Sequence, residues 1–406
     1  MLVFFKIGFR NLFRNQRRSL LTSAVIGLGV AGLIITDGFL IGMNDNMVST
    51  ITTGMISEGQ IHHRQFKENL KVENFIDQLP QVIRTLEDDK NIEGFSSRAI
   101  SFAMVNSPRN MKNISLYGID PKKESLISNM HKSIIEGEYV KNEKSLVVGQ
   151  KLLERLEVQL GHKVVVTVAE AESGELAQEM FRISGVYKTG VAELDENMAF
   201  VYLPKLQKLL NIQNNVHEIA LKFKDRKTGE KKSNPLWQEL SLGQNKAESW
   251  KQIAASFISL MEMTDISKVI IALVLMILVG LGIVNTLFMA LYERIFEFAV
   301  LRALGTKARE IIIIIVSEAG ALAILSILLG FIITFLFGIP LTLKGVDYGG
   351  MEFAEVTLRE PIYYVFTWQQ IWLYPLGTFL FTVLVSLYPA IYAAKVTMAN
   401  ALKKSL

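Results

Sequence analysis

The residues of this 406-residue chain that could do chemistry are few, and their spacing works against it. His62 and His63 are adjacent, and in a strand neighbouring side chains point to opposite faces, so the two cannot share a metal. His131, His162 and His217 stand alone, at no recognised ligand spacing. There are no cysteines, which excludes thiolate metal sites and disulfides. Neither a G-x-S-x-G elbow nor an H-E-x-x-H pair occurs. The phosphate-cradling loop G-x-x-x-x-G-K-[S/T] is also missing, so the chain cannot hold a nucleotide in the usual way. The reading is a non-catalytic chain with no metal and no cofactor of its own. What remains is two acids inside apolar runs, Asp37 and Glu318, and the basic residues that flank those runs. An acid within a membrane span is costly and turns to the protein interior or to water.

The elements that position these residues are long and apolar. Half the residues are hydrophobic, and a net charge of +4 gives no basis for binding nucleic acid. Four stretches, 20–41, 268–291, 311–339 and 371–394, reach the roughly 20 apolar residues a helix needs to cross a bilayer. Asp37 lies near the outer end of the first, close enough to the surface to be wet. Glu318 lies about two turns into the third, at about 3.6 residues per turn.

Charge orients the spans. Lys6, Arg10, Arg14, Arg17 and Arg18 precede the first span without an acid, which places the N-terminus inside by the positive-inside rule. Residues 42–267 are then outside; 292–310, with Arg294, Arg302, Lys307 and Arg309, inside; 340–370 outside; and 395–406, with Lys395, Lys403 and Lys404, inside. A cleaved signal peptide has a shorter apolar region and a small-residue cleavage site, so the first span is expected to be retained. Within residues 1–19, Phe5, Phe9, Leu12 and Phe13 alternate with Lys6, Arg10, Arg14 and Arg17 at helical spacing. This is an amphipathic basic helix suited to the inner membrane surface, or a cytosolic extension of the first span.

Residues 42–267 have the composition of a folded domain. Candidate strands are 60–66, 99–106, 113–119, 163–169, 180–186, 199–203 and 218–223, with helices at 75–86, 149–156 and 204–210. The irregular mixture predicts α+β architecture rather than a doubly wound sheet. Residues 225–234 are nearly all polar and predict a loop, and 235–263 a helical return to the membrane. In 292–310, acids and bases surround Ala299, Val300, Leu301 and Leu304, which fits a short amphipathic helix ended by Gly305; the plain alternative is a solvated loop.

Three stretches carry a family resemblance. The first is Ile7-Gly8-Phe9-Arg10-Asn11-Leu12-Phe13-Arg14 followed by Arg17-Arg18-Ser19-Leu20-Leu21-Thr22. The second is Gly282-Ile283-Val284-Asn285-Thr286-Leu287, then Glu293-Arg294, Glu297 and Leu301-Arg302-Ala303-Leu304-Gly305, with Glu318-Ala319 beyond. The third is Tyr388-Pro389-Ala390, Ala393-Ala394 and Ala401-Leu402. In this order and on this topology they resemble the permease subunits of type VII, MacB/FtsX-like, ABC transporters. The resemblance implies an integral membrane α-helical fold of four transmembrane helices, with a large α+β periplasmic domain inserted between helices 1 and 2, in the bacterial inner membrane. It implies a cytoplasmic coupling helix carrying Glu293, Arg294, Glu297, Leu301, Arg302, Leu304 and Gly305. ATP and Mg would then be held by a separate ABC ATPase subunit, present in two copies, because no ATPase is fused to this chain.

The outside domain is most similar to that of the lipoprotein-releasing LolC/LolE type. The similar stretches are Ser57-Glu58-Gly59-Gln60-Ile61-His62, Gly118-Ile119-Asp120-Pro121 with Glu124, Val147-Val148-Gly149, and Gly185-Val186-Tyr187. One departure is the connection at 170–178, tipped by Gly174, which is too short for a long protruding carrier-binding loop. The implied partners are a second permease, identical or related, a lipoprotein cargo, a periplasmic carrier and membrane lipid. The implied mechanism is mechanotransmission, with acyl chains entering between the first and second spans. Ile26, Leu33 and Ile34 on the first and Leu275, Leu278 and Leu281 on the second are the expected cargo path, the plain alternative being lipid contact or helix packing. Glu318 is expected either to bond the coupling helix from within, through Arg302 or Arg294, or to pack protonated. Within the same family, export of a drug, peptide or toxin, or regulation of a cell-wall hydrolase or sensor kinase, are the rival functions.

Overall fold

The computed structural model describes residues 16–348, 352–353, 356–357 and 361–395. The expected basic helix before Gln16, and Ala401-Leu402, Lys403 and Lys404 of the tail, lie outside the described residues. The chain divides into two compact units, a helical one (Met1–Asn44, Leu260–Val346, Pro361–Leu406) and a sheet unit (Asp45–Ser259, Asp347–Glu360).

The helical unit is built from α1 (Gln16–Thr52), α2 (Ala255–Glu293), α3 (Ile295–Ala303), α4 (Ala308–Lys344) and α5 (Trp368–Ala394). Among the described residues, four of these are long and apolar enough to cross a membrane, all but α3. They are longer than the sequence predicts. Where residue 42 was expected to begin the outside domain, α1 continues to Thr52, and α2 begins at Ala255 rather than near 268. No proline interrupts residues 42–52, so the polar segment simply continues the helix. Similarly, α4 runs through Pro340 to Lys344, and α5 contains Pro375 and Pro389. Membrane helices accommodate prolines because neighbouring groups satisfy the freed carbonyls.

Close packing of the spans rests on small residues. A side chain on Gly27 would press on the carbonyl of Ser326, and one on Gly330 on the carbonyl of Gly27, so the α1 and α4 backbones approach closely here. Ile26 packs with Val279 and Ile283 of α2 and Ala319 and Leu322 of α4.

Among the described residues, the sheet unit has a separate two-stranded sheet, in which Glu352–Phe353 pairs with Val356–Thr357, and a main sheet of ten strands: β1 (Gly59–His63), β2 (Ile92–Asn106), β3 (Met111–Ile119), β4 (Ile134–Gly137), β5 (Ser145–Gly149), β6 (Lys163–Ala169), β7 (Leu176–Tyr187), β8 (Met198–Tyr202), β9 (Glu218–Phe223) and β10 (Asn245–Ser249). Their order is β10-β1-β9-β2-β3-β8-β5-β7-β4, with β6 bridging β2 and β7. Because β6 joins both, β2, β3, β8, β5, β7 and β6 close into a ring. The long β2 makes this possible: its first half pairs β9 and its second half pairs β6. Inside the ring lie Val105, Leu116, Val166, Phe181, Ile183 and Val201, packed with Leu152 and Leu206 of the helices Gln150–Arg155 and Leu203–Leu210. A second core sits on β1 and β9, where Ile61, Ile219 and Leu221 meet Leu86, Trp237 and Leu240.

Several expectations need correction. The helix expected over 235–263 is interrupted: Pro235–Leu240 is helical, Asn245–Ser249 is β10, and Trp250–Ile253 precedes α2. β10 has almost no apolar signal; it forms because β1 offers an open edge, in the register Ile61↔Ala247. The short strands β4 and β5 were also missed. The loop expected at 225–234 contains a helical turn, Arg226–Glu230, capped by the Asp225 carboxylate. The helix expected at 75–86 begins later, at Leu79. The β6–β7 connection is as short as predicted, with Gly174 at φ +66°.

Candidate coupling and transport site

Among the described residues no group of His, Cys, Asp or Glu could hold a metal. His62 is almost fully buried, with Nδ1 2.8 Å from the His63 carbonyl and Nε2 3.3 Å from Glu248, which places it in a cross-strand contact. The residues left to examine are those of α3 and of the spans beside it.

α3 is fixed at both ends by local chemistry. At its C-terminus Gly305 adopts φ +98° and donates its N–H to Arg302 O at 3.1 Å, while Thr306 N–H donates to Leu301 O at 3.0 Å. These are the paired bonds of a Schellman stop, and the positive φ favours glycine. At the N-terminus Arg294 donates to Glu297 at 2.9 Å and to Glu318 of α4 at 3.2 Å, and its guanidinium lies over the Phe298 ring. The ion pair to Glu318 is made by Arg294, not by Arg302. The inner face of α3 is apolar: Phe298 packs with Leu291, Ile311, Ile315, Ala390 and Ala393. The opposite face carries Glu297, Leu301 and Leu304 at i, i+4 and i+7, all exposed. Glu293 is exposed just before α3, and Arg302 is half-buried on its flank. Phe296 is 51% exposed and belongs to the same surface. Sequence reasoning missed it, although an aromatic residue within a charged loop is the signal that would have found it.

Two sets of residues expected on one wall fall in different surroundings. Ile26, Leu33 and Ile34 of α1 are buried within the chain, and Leu275 is half-buried near Gly32. Leu278 and Leu281 are open, with Ile270, Leu273 and Ile277 on the same side of α2. The α1–α2 seam itself is closed: Thr22 donates to Thr286 at 3.2 Å, and Gly29 lies directly against Val279.

Asp37 is half-buried and turned toward α5. It accepts from Gln370 Nε2 at 2.9 Å. Gln370 Oε1 in turn accepts the Thr367 N–H at the start of α5. Asp37 thus sits by the N-terminal end of α5.

Residues 19–233 match the MacB-like periplasmic core domain family, and residues 269–398 match the FtsX-like permease C-terminal family. A lipoprotein-releasing system transmembrane protein LolC of Neisseria meningitidis is 22% identical over 312 residues, 74% of this chain and 73% of that protein. A LolE of Haemophilus influenzae is 23% identical over 409 residues, 93% of this chain and 92% of that protein. An uncharacterized ABC transporter permease of Methanocaldococcus jannaschii is 23% identical over 350 residues, 80% of this chain and 81% of that protein. With more than half its length in the MacB-like core domain and its remaining spans in the FtsX-like region, this multi-pass chain belongs to the MacB/FtsX-like family of ABC transporter permeases.

Proposed function

We propose that this chain is the permease subunit of a transporter that extracts lipoproteins from the outer leaflet of the bacterial inner membrane and releases them towards the outer membrane. Its similarity to LolC and LolE proteins along most of the chain supports the lipoprotein class. The observation that carries the reading is the outer part of α2. There Ile270, Leu273, Ile277, Leu278 and Leu281 form an open aliphatic strip on the side of α2 turned away from α1, a surface suited to acyl chains.

Energy comes from a separate ABC ATPase subunit, in two copies, which supplies the nucleotide site with its ATP and Mg. Glu297, Leu301 and Leu304 of α3, with Phe296, are the docking surface for that subunit, and Arg302 supplies a flanking charge. Arg294 and Glu318 tie this surface to α4, so a push on α3 is passed to a span rather than lost in a loop. The permease pairs with a second permease, a copy or a relative, and a periplasmic carrier receives the cargo.

The test is reconstitution of the permease with its ATPase in proteoliposomes carrying a triacylated lipoprotein. ATP-dependent release into the aqueous phase, abolished by Leu278→Asp in an assembled complex, is the expected result. Absence of release, with a hydrolase or an export channel copurifying instead, would replace lipoprotein release with one of the rival family functions.

A further inference from the structure

The chain leaves α1 at Thr52 and enters β1 at Gly59. In the segment between them, the sheet unit captures the backbone carbonyls of Thr53, Met55, Ile56 and Glu58. Asn129 N–H donates to Thr53 O at 2.7 Å, and Arg98 Nη1 donates to Met55 O at 2.6 Å. Arg98 also grips the segment through Ser57, Nη2 to Oγ at 3.4 Å. The carbonyl that Arg98 contacts, Met55 O, lies three residues past the end of α1.

Arg98 is itself held from three sides. Nη2 and Nε donate to the two Glu124 oxygens at 2.6 and 3.2 Å, a bidentate fork, and Nη1 donates to Glu218 at 2.8 Å. The other Glu218 oxygen accepts from Lys67 at 2.9 Å; Lys67 also donates to Gln60 Oε1, and Gln60 Nε2 donates to Ile56 O at 3.0 Å. Arg98 and Glu124 are fully buried and Glu218 is 2% exposed. The elements that contribute are β2, the helix Pro121–Ile127, β9, the turn Phe66–Asn69 and β1. Burial pushes the Glu218 carboxyl up, but Lys67 and Arg98 outweigh it and hold it at about 2. Glu218 therefore stays ionised at neutral pH.

A buried ion network of this kind adds little stability over an apolar replacement of similar volume, so its contribution is position. What it positions here is the linker. Glu58 is tied separately, donating its N–H to Leu221 O at 3.0 Å and accepting from Trp250 N–H at 3.1 Å, so the part that depends on the network is Thr53 to Ser57. We propose that Arg98, Glu124 and Glu218 form a rigid joint that makes the outer turns of α1, from Asp45 to Thr52, and the sheet one body, so that displacement of α1 during the ATP cycle moves the sheet without slack. Arg98 is a positioning residue, acting through the carbonyl of Met55. The functional arm of this inference rests on the permease reading above; the structural arm does not.

The test uses the full chain bound to its ATPase subunit in lipid nanodiscs, with nitroxides at Asp45→Cys and Ser173→Cys, both within the sheet unit and both exposed. The parent protein is expected to give one narrow distance distribution, unchanged between nucleotide-free and ATP-trapped states. Two variants follow: Arg98→Lys, which keeps the charge but loses the fork, and the apolar triple Arg98→Met/Glu124→Leu/Glu218→Leu. The expected result is loss of the narrow distribution, with wild-type melting and basal ATP hydrolysis, and loss of cargo-stimulated hydrolysis. A folded variant with the parent's narrow distribution overturns the joint. If neither variant melts like the parent, the triad is a folding element and the proposal also falls. If cargo fails to stimulate even the parent, the lipoprotein assignment fails while the distance distributions still decide the joint.

Discussion

Inside the ring of the sheet unit, Val105, Leu116, Val166, Ile183 and Val201 have no exposure, whereas on α2 Ile270, Leu273, Ile277, Leu278 and Leu281 are each at least half exposed. The two regions use the same residue types and reach opposite outcomes because their solvents differ. In water, apolar side chains are driven inside, and a sheet that closes on itself leaves little apolar edge to hide. In lipid there is no such drive, and helices associate by close contact of small residues, as Gly27 and Gly330 do. The sheet unit therefore completes its own apolar core. The open strip on α2 is left facing whatever surrounds the span.

Matched truncations break or sharpen this contrast most strongly. Phe181→Ala, inside the ring, is expected to cost about 3–5 kcal/mol, read as an earlier unfolding transition of the periplasmic domain. Leu278→Ala should leave melting unchanged and instead lower the recovery of partner permease or bound lipoprotein. Equal losses of stability from the two would show that α2 is packed within the chain after all. Next in size is Arg302→Glu on α3. Reversing a charge at a close protein contact typically costs about 2–5 kcal/mol, so pull-down of the ATPase should fall while membrane insertion and the folded domain survive. Wild-type pull-down with intact coupling would remove α3 as the transmission point.

Glu318→Gln should have a smaller effect. It removes a charge-assisted bond to Arg294 of about 1.5–3 kcal/mol, leaves the Arg294–Glu297 pair, and should speed hydrogen exchange in α3 alone. The smallest effect concerns pH and the sheet unit. His217 is buried, with Nδ1 accepting the Ile100 N–H and Nε2 facing the Val72 carbonyl, both at 2.9 Å. Burial lowers its pKa below 6.5, so the unfolded chain takes up a proton more readily than the folded one. Its contribution is present above 6.5 and is lost as pH falls below it. Melting about one pH unit either side of that value should show lower stability on the acid side, and His217→Gln should flatten the difference.

Much of the architecture was legible from local pattern. Span positions follow from hydropathy summed over neighbours in sequence, and β6 and β9 appear with the bounds their alternation predicts, Lys163–Ala169 and Glu218–Phe223. Gly305 could be read as a helix stop because the required φ is a property of one residue. β10 could not be read, since Asn-Lys-Ala-Glu-Ser is a strand only beside the free edge of β1. The exposed face of α3 was half legible. Glu297, Leu301 and Leu304 came from the family resemblance, but Phe296 and the choice of Arg294 over Arg302 as partner of Glu318 depend on how α3 is rotated against α4.

By itself the sequence determined which segments enter the membrane, how they are oriented by charge, and that an α+β domain lies between the first two. Those properties come from composition over short windows. Only the tertiary structure decided which face of each span is inside, because a helix that is apolar all round carries no period to read. It likewise decided that Arg98 is a buried joint rather than a surface base. The Arg98 partners Glu124 and Glu218 are 26 and 120 residues away in sequence, and only the folded sheet brings the three together.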